Sequence, residues 1–287
     1  MWKQKLCLGT VGGAPLGALE QIRLFKEAGF DGFFMVWERG VDLGEIRKFA
    51  DENAMFFQSV HAPFGRVDRL WEQTEETQDV LEEQLACVRE SAAAGVPIVV
   101  CHAIIGFDKH TPSQTGVDNF RTVVEEARRL GVKLAFENTE GDEYLAMLLD
   151  AFKAYPNVGF CWDTGHEMCY NAKDMLALYG DRLIATHIND NLGIKDFDGK
   201  ITWMDDLHLL PFDGIADWSD IAARLNCWGY DGVLTFELKI RNLPGRHENT
   251  VYQTMTFQTY LAEAYKRACR VATLKIKDKQ KRGENRL

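Results

Sequence analysis

Six short apolar runs in this sequence each stop at a side chain able to bind a metal ion or carry a proton. They end as Val60-His61, Cys101-His102, Phe136-Glu137, Trp162-Asp163, Thr186-His187 and Phe236-Glu237. The run Val158-Gly159-Phe160-Cys161-Trp162 has aromatic and β-branched content without alternation, the pattern of a strand buried on both faces in a parallel sheet. If such strands close into a parallel barrel, their C-terminal ends gather at one face and the six endings converge on one site. Glu137, Asp163, His187 and Glu237 would then follow one another around the mouth. Three carboxylates with one imidazole suit a hard-to-borderline dication (Mn²⁺, Mg²⁺, Co²⁺ or Zn²⁺) with open positions for substrate oxygens. A carboxylate buried alone is costly, and a bound dication removes that cost.

A second layer of ionisable groups surrounds these four: His61, His102, Glu143, His166, Asp206 and His208. Asp206-Leu207-His208 puts both polar side chains on one side if that piece is extended. Five of the seven histidines fall at or just after a strand end, or in the loop before the last strand; His110 and His247 do not. Any one histidine is more often a satisfied core residue, but the shared placement of five argues for a site. Lys239 and Arg241, just past Glu237, are placed to meet a phosphate or carboxylate on a substrate. Phe64, Trp71, Phe107, Trp162 and Trp203 are aromatics near the same region, available to exclude water or stack on a ring.

The elements that must position these groups alternate regularly. Strands are predicted at 6–10, 32–37, 55–61, 98–102, 132–137, 158–162, 183–187 and 232–237. Between them lie helical stripes such as Leu19, Ile22, Leu24 and Phe25, or Val117, Phe120, Val124 and Ala127. A long insertion, Asp190 to Asp217, follows strand seven, and a final helix is expected from near Glu248. Gly29-Phe30, Gly95-Val96, Gly131-Val132 and Gly229-Tyr230 each place a glycine where a helix hands over to a strand, as a left-handed helix stop requires. Eight strands alternating with eight helices predict an α/β fold, a single (β/α)₈ barrel over residues 1–287. The end, about 274–287, is basic and is expected to be a solvated, frayed tail.

Composition narrows the function classes. A formal charge of −10 argues against a polyphosphate grip, so nucleic acid is not the expected partner. No apolar run approaches membrane-spanning length and the first residues lack a signal-peptide core, which makes a cytoplasmic protein with no membrane partner the expectation. Seven scattered cysteines without a CxxC pair read as reduced, packed thiols. Homo-oligomerisation is left open.

Several motifs carry a family resemblance: Ser59-Val60-His61-Ala62-Pro63, Phe136-Glu137-Asn138, Trp162-Asp163-Thr164-Gly165-His166, Thr186-His187-Ile188-Asn189-Asp190-Asn191, Asp206-Leu207-His208-Leu209, and Gly229-Tyr230-Asp231-Gly232 leading to Phe236-Glu237. In these the sequence resembles the xylose isomerase-like TIM barrels, the sugar and sugar-phosphate isomerase/epimerase group together with endonuclease IV. The resemblance to the epimerases implies that Glu137, Asp163, His187 and Glu237 bind one metal. It also implies that Glu137 and Glu237 abstract and return a proton through an enediolate, and that Glu143 and His166 hold the substrate. His61, His102, Asp206 and His208 join His166 and Glu143 as candidate substrate-binding residues. The expected substrate is a sugar, sugar phosphate or related polyol. The chain departs from ketose epimerases at Gly193, where they carry an arginine. The resemblance to endonuclease IV implies an alternative, a multi-zinc phosphodiesterase acting on abasic DNA. Its nine ligands have counterparts in His61, His102, Glu137, Asp163, His166, His187, Asp206, His208 and Glu237. Metal-dependent dehydratases and lyases share the same enediolate chemistry.

Overall fold

In the computed structural model, which describes residues 4–107, 111–171, 173–193 and 202–284, the eight expected strands form one parallel sheet. They are β1 (Leu6–Gly9), β2 (Gly32–Val36), β3 (Phe56–His61), β4 (Ile98–His102), β5 (Lys133–Glu137), β6 (Val158–Asp163), β7 (Leu183–His187) and β8 (Leu234–Phe236). Neighbours pair in sequence order, and β8 returns to lie beside β1. The remaining seam, β7 to β8, closes through Ile188 N donating to Thr235 O at 2.7 Å and Glu237 N donating to Ile188 O at 3.1 Å. The fold is a (β/α)₈ TIM barrel.

The helices are α1 (Ala18–Ala28), α2 (Leu43–Glu52), α3 (Thr77–Ala93), α4 (Gln114–Leu130), α5 (Asp142–Ala151), α6 (Thr164–Cys169), α7 (Met175–Tyr179), α8 (Trp218–Cys227) and α9 (Phe257–Glu284). Their starts follow local chemistry: Asp42, Ser113 and Asp217 accept hydrogen bonds from the first free N–H groups of α2, α4 and α8. Gly29 and Gly131 end α1 and α4 at φ 108° and 75°, a left-handed conformation that only glycine adopts without a Cβ clash.

Two expectations change here. The last helix begins at Phe257, not near Glu248, because Asn249 engages the loop instead: its N–H donates to Asn242 Oδ1 and its side-chain amide to Arg241 O. Thr256 then supplies the start, accepting from Thr259 N. The basic end is not frayed from 274 onward. Residues 274–284 continue α9, where Asn226 donates to Lys275 O, and Arg282 bonds Asp278 and the carbonyl of Ala223. Part of the insertion after β7, 194–201, and the last residues, 285–287, lie outside the described residues. None of the seven cysteines forms a disulfide. No helix among the described residues is long and apolar enough to cross a membrane.

Alternation along the strands sorts the core into two parts. Outward-facing residues such as Phe136, Phe160 and Trp162 join the large cluster under the helices. Inward-facing Val100, Ala135, Cys161 and Ala185 form a separate small cluster inside the barrel. Each of these four lies two residues before an ionisable strand end: His102, Glu137, Asp163 and His187. A period of two therefore sends all four ionisable side chains inward, directly above a floor of small apolar groups.

Candidate metal centre at the mouth of the barrel

Sheet register sets the first pairings. His102 lies opposite Glu137 on adjacent strands, and Asp163 opposite His187. A register shift between Phe160 and Cys161 is what brings the second pair level. Across the mouth, Glu137, Asp163, His187 and Glu237 each offer a ligand atom, all within 4.8 Å of one another. His187 Nδ1 sits between two of the carboxylates, 2.7 Å from Glu137 Oε1 and 3.0 Å from Glu237 Oε2.

Charge makes this cluster a fit for a dication. Glu137, Asp163 and His187 are fully buried and the Glu237 side chain is 23% exposed, and one imidazolium cannot neutralise the three carboxylates gathered there. Oxygen ligands with one nitrogen match Mn²⁺, Mg²⁺, Co²⁺ or Zn²⁺. Burial pushes the Asp163 carboxyl up to about 6 against the pull of His166. For Glu137 the same burial is overcome by His187, His102 and His61, which hold it well below the usual carboxylate range. Glu237 likewise falls to about 2, as His187 and His208 outweigh its burial.

The surrounding histidines are locked by backbone carbonyls, which only accept hydrogen bonds. His61 Nδ1 donates to Ala62 O at 2.8 Å, His166 Nδ1 to Asn138 O at 2.9 Å and His208 Nδ1 to Glu237 O at 3.3 Å. Each ring therefore presents Nε2 to a carboxylate: His61 to Glu137 Oε2 (3.2 Å), His166 to Asp206 Oδ1 (3.5 Å) and His208 to Asp206 Oδ2 (2.5 Å). This is the arrangement by which second-layer groups orient metal-binding imidazoles. His102 Nε2 adds a further approach to Glu137 Oε2 at 3.3 Å. Two additional clusters with ligand atoms inside 4.8 Å result: His61, Glu137 and His187; and His166, Asp206 and His208.

Nine of the ten residues singled out from the sequence thus meet in one continuous network. Glu143, expected to hold substrate and not metal, is half-buried in the first turn of α5 and belongs to none of the three ligand clusters among the described residues. Gly193 has φ 75°, and a Cβ there would lie 3.0 Å from Ile215 Cδ1. Lys239 does not wait for a substrate anion: its ammonium donates to Asp206 O and Asp206 Oδ2, both at 3.1 Å. Of the five aromatics, Phe64 stacks on His102 at 4.6 Å, Phe107 meets Tyr170 and Trp203 is exposed. Trp71 and Trp162 belong to the outer core, Trp71 against Phe120 and Tyr144, Trp162 bonded to Glu167.

Sequence reasoning missed the supports. Asn189 Nδ2 donates to Asp163 Oδ2 at 2.9 Å and Oδ1 at 3.2 Å, and His166 N donates to Asp163 Oδ1 at 2.7 Å. Asn138 Oδ1 accepts from Asp163 N, and its amide returns a bond to Asp163 O. Phe34 stacks on the His187 ring at 4.5 Å, and Tyr170 on His166 at 5.3 Å. The available signal was an asparagine one residue past Glu137 and another two past His187.

Comparison with known proteins bears on the family and the fold. A family described as "Xylose isomerase-like TIM barrel" matches residues 22–260. An uncharacterised protein of Sinorhizobium fredii, y4fM, is 34% identical over 161 residues, covering 51% of this chain and 49% of its own length. The chain thus spans about half of that relative. Among solved structures, an L-ribulose 3-epimerase superposes with a TM-score of 0.73 at 15% identity, covering 98% of this chain and 97% of its own. The IOLI protein with a binding zinc atom gives 0.73 at 17%, covering 95% and 98%.

Proposed function

Because this chain belongs to the xylose isomerase-like TIM-barrel family, we propose that it is a divalent-metal-dependent isomerase or epimerase of a sugar, sugar phosphate or related polyol, working through an enediolate. The observation that carries the reading is the convergence of Glu137, Asp163, His187 and Glu237 within 4.8 Å, beside a polar rim of imidazoles. A structural likeness to an L-ribulose 3-epimerase supports the substrate class. When bound to these four residues, the metal supplies Lewis-acid polarisation of a substrate carbonyl and offsets the charge that develops on its oxygen.

The protein's own groups divide the remaining work unevenly. Both oxygens of Glu137 are engaged, Oε1 by His187 and Oε2 by His61 and His102. Among the described residues Glu237 forms an ion pair with His187 alone and keeps its side chain 23% exposed, so it has a lone pair free to take a proton from a bound substrate. Glu137 is then the buried ligand that orients the site and the acid/base group of the opposite face. His166, Asp206 and His208 present acceptors and donors to substrate hydroxyls, while Tyr170 covers the His166 ring and Phe64 that of His102. The test is incubation with a panel of ketopentoses and ketohexoses in D₂O with Mn²⁺. Uptake of one solvent deuterium per product, lost in Glu237→Gln, is expected; no uptake with any member of the panel would remove the reading.

A second reading, a multi-metal phosphodiesterase, is favoured by one observation: Glu137 lies between His61 and His102 on one oxygen and His187 on the other, as a bridging ligand would. Against it stand the formal charge of −10 and the pairing of Lys239 with Asp206. Zinc content near three per chain together with cleavage of an abasic duplex would favour this reading over the first.

A further inference from the structure

The His166, Asp206 and His208 cluster has the ligand types and spacing of a second dication site, yet it already holds a positive charge. Lys239 Nζ donates to both Asp206 O and Asp206 Oδ2, so the main chain and the side chain of one residue grip the same ammonium. Asp206 Oδ2 is thereby shared between Lys239 and His208 Nε2, which leaves it no lone pair for an ion. Its other oxygen, Oδ1, is buried without a hydrogen-bond partner among the described residues and faces His166 Nε2 at 3.5 Å.

The lysine is held in this place by its backbone. Lys239 N donates to His208 O at 3.0 Å, so the chain leaving β8 is zipped to the very residue whose ring it approaches. Gly12 pairs alongside Lys239, and a Cβ on Gly12 would come within 3.1 Å of Lys239 Cγ. Absence of a side chain at Gly12 lets the lysine stem lie across the β1 loop and reach Asp206. His208 itself takes φ 46°, a conformation costly for a non-glycine residue and maintained here by its contacts.

We infer that the Lys239 ammonium is a resident counter-charge standing where a further dication would bind, so that the His166, Asp206 and His208 cluster stays free of metal beside the four-ligand centre. An ion brought to this cluster would meet a fixed cation at hydrogen-bonding distance from its only carboxylate, with most of that carboxylate's charge already neutralised. A hydroxyl meets no such repulsion. It can donate to Asp206 Oδ1, the acceptor left open, and reach His166 Nε2 from the same position. The inference concerns ion count and so stands apart from which reaction the four-ligand centre performs.

The experiment is zinc content per chain by elemental analysis, after equilibration of the full chain with Zn²⁺ and removal of free ion. Lys239→Met is expected to hold one more zinc per chain than the unmodified protein, and Lys239→Met combined with Asp206→Asn to return to the original count. Equal counts in the first two proteins overturn the inference, as does a gain that survives Asp206→Asn. Should Lys239→Met fail to fold, His208→Gln in the otherwise unmodified chain decides the matter: an unchanged count supports the inference, and loss of one zinc overturns it. A chain inactive on every sugar still reports its zinc content, so failure of the proposed reaction and failure of this inference are separate results.

Discussion

Asn189→Leu isolates the support of the metal centre from its ligands. Asn189 is fully buried, and its amide donates to both oxygens of Asp163, at 2.9 and 3.2 Å. Leucine has nearly the same shape without the donors, so no cavity opens. Asn189 is held in the chain through its main chain, by Thr164 Oγ1 at 3.0 Å to its N–H and 2.7 Å to its carbonyl, and those bonds survive the substitution. Among the described residues Asp163 then keeps one side-chain hydrogen bond, from His166 N. Loss of a hydrogen bond to a charged group costs about 1.5–3 kcal/mol. Spent on metal binding, that is roughly a 10- to 100-fold loss of affinity, the range typical of outer-layer substitutions. Competition against a chromophoric chelator measures it, with the thermal midpoint of the metal-free protein as the control for folding. The pH dependence gives a second readout. The lost donors favoured the charged carboxylate, so the Asp163 pKa rises further above about 6 and metal uptake fails at a higher pH than in the unmodified protein. Affinity within twofold of the original, with an unmoved acid limb, refutes the view that Asn189 sets the Asp163 ligand.

Three further outcomes follow from the same geometry. Glu237→Gln is expected to abolish deuterium exchange while lowering metal affinity less than Glu137→Gln, since the Glu137 carboxylate lies within 3.8 Å of four histidine rings and that of Glu237 of one among the described residues; equal metal affinities for the two variants, read by calorimetry, count against that division. In the unmodified protein, metal occupancy should fall as pH drops through about 6, because protonation of Asp163 removes a ligand; elemental analysis across a pH series checks this. Gly116→Ala places a Cβ against the Trp71 ring, 2.0 Å from Cε3, and displaces an indole that donates to Ala103 O. Overpacking plus the strained hydrogen bond should cost about 2–4 kcal/mol, a fall in Tm of roughly 5–10 °C by calorimetry.

How much of this was legible beforehand differs from residue to residue. The ends of β5, β6 and β7 were readable because an unbroken apolar run that stops at Glu137, Asp163 or His187 marks both a buried strand and the point where it meets the mouth. The start of α9 was misplaced by nine residues because the turn at 248–256 is held by long side-chain bonds to 241 and 242, which no helical period announces. Glu143, which the resemblance assigns to the substrate and not to the metal, lies six residues past Glu137 in the first turn of α5.

The sequence by itself determined the order of strands and helices, the glycine stops between them and the inward face on which each ionisable strand end falls, because all of these depend on periods of two or 3.6 residues along one segment. Only the tertiary structure decided who meets whom. Asn189 reaching Asp163, Phe34 covering His187 and Lys239 reaching Asp206 join segments 26, 153 and 33 residues apart. Their meeting depends on register shifts and on closure of the β7 to β8 seam. A strand's alternation states which way a side chain points; the curvature and register of the closed barrel state what it finds there.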